Sequence, residues 1–200
     1  GLTFWDRGKC RDALAGLHND GIFTPLAEQP TLLFPGSLGG ANWGGGAYSP
    51  QTQRLIVNVN AAPFVAYLIR GAGSTTQQDH PVAGQKTMFV TMQGTPYTLA
   101  VGPLLSPLGI PCTAPPWGRL VAIDLGTGRV AWQAPLGSVH EMGPFPLPWH
   151  IHWGTPNLGG GLVTDGGVFL IAATMDRQFR AFDVRDGRQL WTYTLPVDAT

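Results

Sequence analysis

His150 and His152 are the residues whose type and spacing come nearest to a metal site. They alternate with Trp149, Ile151 and Trp153, so in an extended segment both imidazoles fall on one side, where they can share an ion. Two ligands without a third nearby leave such a site incomplete, and the simpler expectation is a loop whose aromatic and imidazole side chains pack or meet a ligand. His140 beside Glu141 is an acid/base pair by type, but neighbours along a strand point to opposite faces, which separates them. Asp124 and Asp183 are read differently, as turn caps. Each occupies the same place in a repeated pattern, and a catalytic group is needed only once. Cys10 and Cys112 leave two readings open, a long-range disulfide or two unrelated buried thiols.

That repeat announces the elements on which these residues sit. Ala122, Asp124, Gly128 and Trp132 recur as Ala181, Asp183, Gly187 and Trp191, with the same offset of 59 at each position. A fixed period of this size marks stacked supersecondary units. Each copy reads as a strand carrying Ala and Asp, a tight turn in which Gly supplies positive φ, and a second strand leading to Trp. In a close-packed stack, both Trp132 and Trp191 are expected to be buried, each covering the neighbouring unit's backbone.

Composition agrees with an all-β, turn-rich domain. The 200 residues include 28 Gly and 18 Pro, yet 44% are hydrophobic, too many for a disordered chain. Twelve basic and twelve acidic residues leave no net charge, so no electrostatic footprint for nucleic acid or an anionic membrane is visible. The longest apolar stretch, 55–69, is interrupted by Asn58, Asn60 and Pro63 and is shorter than the roughly twenty residues of a membrane helix. Neither a span nor a signal peptide is read in the sequence.

Helical spacing of Ala13, Leu14 and Leu17 predicts a short helix over 6–20, stopping at Gly21. Strands at 42–48, 54–60, 119–125 and 130–134 then make one sheet, and strands at 160–164, 168–173, 178–184 and 189–195 a second. The predicted organisation is a connecting segment (1–36), a propeller blade (37–136) with a long insertion at 61–116, an aromatic and Pro-rich loop (137–153) and a second blade (154–200). The insertion is expected to be functional or a lid, and its 71–84 part, polar, is expected to be mobile. Two sheets cannot close a ring, so the chain reads as a piece of a larger propeller.

The two Trp hairpins resemble the tryptophan-docking repeats of the pyrroloquinoline-quinone (PQQ)-dependent dehydrogenases, which are eight-bladed β-propellers. Gly39 to Trp43, Leu105 to Cys112, Pro144 to Pro148 and Leu158 to Gly160 resemble the membrane-bound glucose and quinate (polyol) branch. The similarity runs from about residue 3 to 196 and corresponds to the later part of that family's catalytic domain. Its membrane helices, the tryptophan stacked under the quinone, the calcium ligands, the catalytic Asp and the closing blade have no counterpart here.

The resemblance implies oxidation of a sugar or polyol alcohol, with electrons passing to bound PQQ and then to ubiquinone, at the periplasmic face of the bacterial inner membrane. Asn42 is expected to hydrogen-bond the quinone's oxygens, with Trp43 beside it. Asn157 and Leu158 are expected to line the pocket where alcohol-dehydrogenase relatives carry Trp-Gly-Gly; Leu158 departs from that pattern and removes an aromatic wall. No catalytic residue and no metal ligand is assigned within the chain, the calcium or magnesium ligands being expected outside it. By itself the chain is expected to be inactive. The competing reading is a noncatalytic propeller scaffold built from the same repeats.

Overall fold

In a computed structural model, the residues described are 3–71, 87–139 and 151–197. One helix, α1 (Phe4–Ala15), precedes twelve strands: β1 (Thr31–Leu33), β2 (Ala41–Ser49), β3 (Arg54–Asn60), β4 (Phe64–Arg70), β5 (Met88–Thr91), β6 (Tyr97–Pro103), β7 (Gly118–Asp124), β8 (Arg129–Pro135), β9 (Gly161–Val163), β10 (Val168–Ile171), β11 (Gln178–Asp183) and β12 (Gln189–Thr194). They form three four-stranded antiparallel sheets, divided between two compact units.

The first unit, Gly1–Ser37 with Ala62–Ala114, holds α1 and a sheet ordered β1-β4-β6-β5. Two sheets were expected from the sequence, and this third was not. The stretch expected as an insertion supplies β4, β5 and β6; β4 is buried on both faces over 64–67 and β5 has only four residues, so neither shows the alternation by which the other strands were read. The helix also differs from the expected 6–20. Thr3 caps it, its hydroxyl accepting from the Asp6 N–H at 3.0 Å, and it ends at Gly16 because His18 pairs with β1: the His18 N–H donates to the Pro30 carbonyl (2.8 Å) and the Leu32 N–H to the His18 carbonyl (3.0 Å). Backbone pairing across the unit outcompetes one further helical turn.

Cys10 on α1 and Cys112 after β6 form a disulfide, which settles the open choice between a bridge and two thiols. The bond closes a loop across 102 positions and lies in a small core with Val65 and Leu104, against Ala13, Leu14, Leu17 and Leu32. A core of this size gains much from a covalent link that restricts the unfolded chain. Cys10→Ser with Cys112→Ser is expected to lower the unfolding free energy by about 2–4 kcal/mol. Urea titration of oxidised protein and the double variant measures it; coincident midpoints would contradict the assignment.

The second unit, Leu38–Ala61 with Pro115–Thr200, holds sheets β2-β3-β7-β8 and β12-β11-β10-β9, whose strands fall close to the predicted ranges. Alternation makes one face of each sheet apolar. Ile56, Leu120, Ala122, Trp132 and Leu136 of the first pack against Phe169, Ile171, Phe182 and Val184 of the second, and burial of such aliphatic and aromatic surface is what joins them. Trp132 is 9% exposed, and its indole N–H donates to the Val184 carbonyl at 2.9 Å.

Trp191 does not repeat this. It is 49% exposed, stacked on Tyr193 with ring centroids 6.0 Å apart and edge-on to Phe179 at 5.8 Å. The repeat places both indoles alike on their own strands, but a docking indole is buried by the sheet that follows it. Trp132 has the β9–β12 sheet; no further sheet follows β12 among the described residues.

The hairpin carboxylates cap turns as expected. Asp124 Oδ1 accepts from the Thr127 N–H (2.8 Å) and hydroxyl (2.9 Å), bonds that hold its carboxyl below the ordinary value. Asp183 is engaged by the Arg185 guanidinium (2.6 and 3.0 Å) and N–H (2.9 Å), which draw its carboxyl down to about 2.

Candidate functional site

β2 and β3 are paired at Ala41 with Val59 and again at Gly46 with Val57. Between those pairs β3 has the single residue Asn58, while β2 has residues 42–45, so Asn42 and Trp43 stand on a bulge that leaves the ladder. Bulges re-aim side chains and terminate pairing, and they recur beside functional sites. Here the bulge turns Trp43 out to 74% exposure, although an indole is among the more strongly buried side chains on average.

Asn42 is half-buried. Its Nδ2 donates to the Leu38 carbonyl at 2.7 Å, and its Oδ1 accepts from the Trp43 N–H at 2.7 Å. These bonds fix the side chain and use one N–H and one lone pair; an amide has two of each, so a donor and an acceptor remain for a ligand.

Asn157 and Leu158 approach the same corner from the segment leading into β9. Gly44 of the bulge lies directly against Gly159 and Gly160, so closely that a Cβ on either Gly44 or Gly160 would collide with the other's backbone. Only glycine permits main chains to cross at that distance. Asn157 is 1% exposed. Its side-chain carbonyl accepts from Asn58 Nδ2, its Nδ2 donates to the Thr155 carbonyl at 3.3 Å, and its main chain exchanges two bonds with the Asn60 amide, each 2.8 Å. Leu158 is half-buried and its N–H meets the Ala173 carbonyl at 3.4 Å.

The structure therefore gathers all four residues at one corner of the second unit, with Asn42 and Trp43 on the bulge and Asn157 embedded behind it. Asn58 and Asn60 are the residues that sequence reasoning missed. They entered it only as interruptions of an apolar run. Two asparagines at i and i+2 lie on one face of a strand, and on a buried face each amide must find partners; that was the available signal.

The imidazole candidates fall elsewhere. His150, with Trp149, His140, Glu141 and the 144–148 motif, lies outside the described residues, as does 72–84 of the stretch expected to be mobile. His152 is exposed at a polar recess of about 380 Å³ that Ser138, Gln178, Arg180, Gln189, Thr192 and Thr194 also line. Among the described residues no three His, Cys, Asp or Glu side chains gather as a metal site, and no step through a metal is derived. The bulge does fit a planar, oxygen-rich cofactor along one side: an exposed aromatic face, a fixed amide with unused donor and acceptor capacity, and main chain bared by glycine.

Two antiparallel four-stranded sheets packed face to face through the Trp132 hairpin, with a glycine-rich bulge at their edge, define a β-propeller protein. The profile described as "PQQ: Glucose/ethanol/alcohol dehydrogenase, beta-propeller domain" matches residues 1–200, and the chain belongs to that family. It is 40% identical over 202 residues to the quinoprotein glucose dehydrogenase of Escherichia coli (strain K12), a match covering 98% of this chain and 25% of that protein. It is 40% identical over 204 residues to the probable quinate dehydrogenase (quinone) of Xanthomonas campestris pv. juglandis, again 98% and 25%. Against the glycerol dehydrogenase large subunit of Gluconobacter oxydans (strain 621H) the identity is 36% over 209 residues, covering 98% and 28%. The chain thus spans about a quarter of the length of these relatives.

Proposed function

We propose that this chain forms one part of the cofactor funnel in a PQQ-dependent dehydrogenase that oxidises a sugar or polyol alcohol of the glucose or quinate type and passes electrons on to ubiquinone. The observation that carries the reading is the Asn42–Trp43 bulge, in a chain whose relatives include glucose and quinate dehydrogenases. When bound, the quinone supplies the two-electron oxidant. This chain's residues bind and orient it. Asn42 offers an N–H and a lone pair to the quinone oxygens, Trp43 covers an aromatic edge, and Asn157 and Leu158 form the wall behind. The residue that takes the alcohol proton and the Ca²⁺ or Mg²⁺ ligands belong, in this reading, to other parts of the enzyme.

The Cys10–Cys112 bond supports an oxidising compartment, in keeping with the periplasmic face of the inner membrane. No helix among the described residues is long and apolar enough to cross a membrane.

In the complete dehydrogenase, Asn42→Ala is expected to weaken PQQ binding by about 1–3 kcal/mol, the range for leaving a desolvated partner unsatisfied. Titration of the apoenzyme with PQQ and Ca²⁺ measures it. Wild-type affinity in the variant would remove Asn42 from the cofactor, and absence of dye-coupled oxidation of glucose or quinate in folded, reconstituted enzyme would favour the scaffold reading instead.

A further inference from the structure

Residues 42–45 of the bulge have no ladder partner on β3, where only Asn58, itself unpaired with β2, lies opposite them, and something else must hold the bulge in place. Asn58 and Asn60 are 3% and 4% exposed, on the face of β3 that looks toward the β9–β12 sheet. Asn58 Nδ2 donates both to the Asn157 side-chain carbonyl and to the Gly159 main-chain carbonyl, the latter at 2.8 Å. The Asn60 amide grips the Asn157 main chain at its N–H and carbonyl, while the Asn60 N–H donates to the Gly40 carbonyl at 2.7 Å. The two asparagines therefore tie the base of the bulge on one side to the Asn157–Gly160 segment on the other, where Gly44 and Gly160 make their close crossing.

We infer that Asn58 and Asn60, acting with the Asn157 side chain, are positioning residues for the cofactor: a buried amide clamp that sets where Asn42 and Trp43 stand. This rests on the reading that Asn42 meets the quinone. An apolar strand would join the two sheets as firmly without the cost of burying amides. What the amides add is direction, because each bond ends on a particular carbonyl or N–H and so fixes the two backbones in register. A shift of the bulge by a fraction of an ångström would spoil a hydrogen bond to a rigid planar ligand.

A double-mutant cycle on PQQ affinity tests this in the complete dehydrogenase. Apoenzymes of the wild type, Asn58→Asp, Asn42→Ala and the double variant are titrated with PQQ in Ca²⁺, and the thermal midpoint of each apoenzyme is recorded. Asn58→Asp keeps the size of the side chain and removes both donated bonds. It is expected to weaken PQQ binding about tenfold, and the double variant is expected to bind within about twofold of Asn42→Ala alone, since both changes remove the same contact. A lowered midpoint alone would follow from a structural role too; non-additive affinity would not. Wild-type affinity in Asn58→Asp, or losses that multiply in the double variant, would overturn the clamp while leaving Asn42 as a cofactor contact. If Asn42→Ala binds PQQ as the wild type does, the contact itself fails and the clamp with it. Should Asn58→Asp not fold, Asn58→Ser retains one donor, and a smaller loss with the same non-additivity is expected of it.

Discussion

In the 200-residue chain taken by itself, Trp132→Ala is expected to lower the unfolding free energy by about 3–5 kcal/mol, and Trp191→Ala by only about 1 kcal/mol. The two indoles occupy equivalent places in the repeat, so the contrast isolates what the neighbouring sheet contributes. Trp132 loses a buried bicyclic ring, the bond from its N–H to the Val184 carbonyl, and the lid it forms over Gly187. A Cβ at Gly187 would stand 2.5 Å from the indole, and the residue has φ +74, so the surroundings cannot grow inward to fill the space. Trp191 loses half-exposed surface and its ring contacts with Tyr193 and Phe179. Chemical denaturation of both variants decides the matter, and equal losses would contradict the docking assignment for Trp132.

Arg180→Met is expected to cost a similar amount, about 3–5 kcal/mol, because it strands a buried carboxylate. The side chains of Arg180 and Asp176 are 3% and 5% exposed. Asp176 also receives the Thr174 hydroxyl (2.6 Å) and the Ser138 N–H (2.6 Å). Burial by itself pushes the Asp176 carboxyl up; hydrogen bonds from Arg180 and Thr174, the guanidinium charge and the Ser138 N–H together bring it below the ordinary 3.8. A carboxyl lowered by folding contributes stability that is complete above its unfolded value and is lost as pH falls through the folded one. In Arg180→Met the sign reverses. Burial is then opposed only by the Thr174 and Ser138 bonds, so the carboxyl is expected to rise and the variant to recover stability as acid protonates it. The gap between wild type and variant therefore narrows on acidification, and Arg180→Met with Asp176→Leu restores most of the loss at neutral pH. Stability curves from pH 3 to 7 test both expectations; a gap independent of pH would mean that Asp176 is solvated.

What the sequence by itself determined was local and periodic. The spacing of Ala, Asp, Gly and Trp in two hairpins specified strand, turn, strand and an aromatic anchor, because each feature depends on residues a few positions apart. It placed eight strands of the second unit closely, assigned Asp124 and Asp183 to turns, and through the Asn42–Trp43 and Leu158–Gly160 motifs led to the family and to the corner where the candidate site lies. Only the tertiary structure decided the rest. Whether Cys10 and Cys112 were joined depended on α1 folding against residues a hundred positions later. The third sheet depended on β1 pairing with β4 across an intervening strand pair. Which of two equivalent tryptophans is buried depended on which one has a following sheet packed on it among the described residues. The clamp belongs with these: the spacing of Asn58 and Asn60 put both amides on one strand face, but their partners were set only when Asn157 was brought opposite them. Long-range pairing is set by packing between segments that share no sequence period, and no window along the chain contains it.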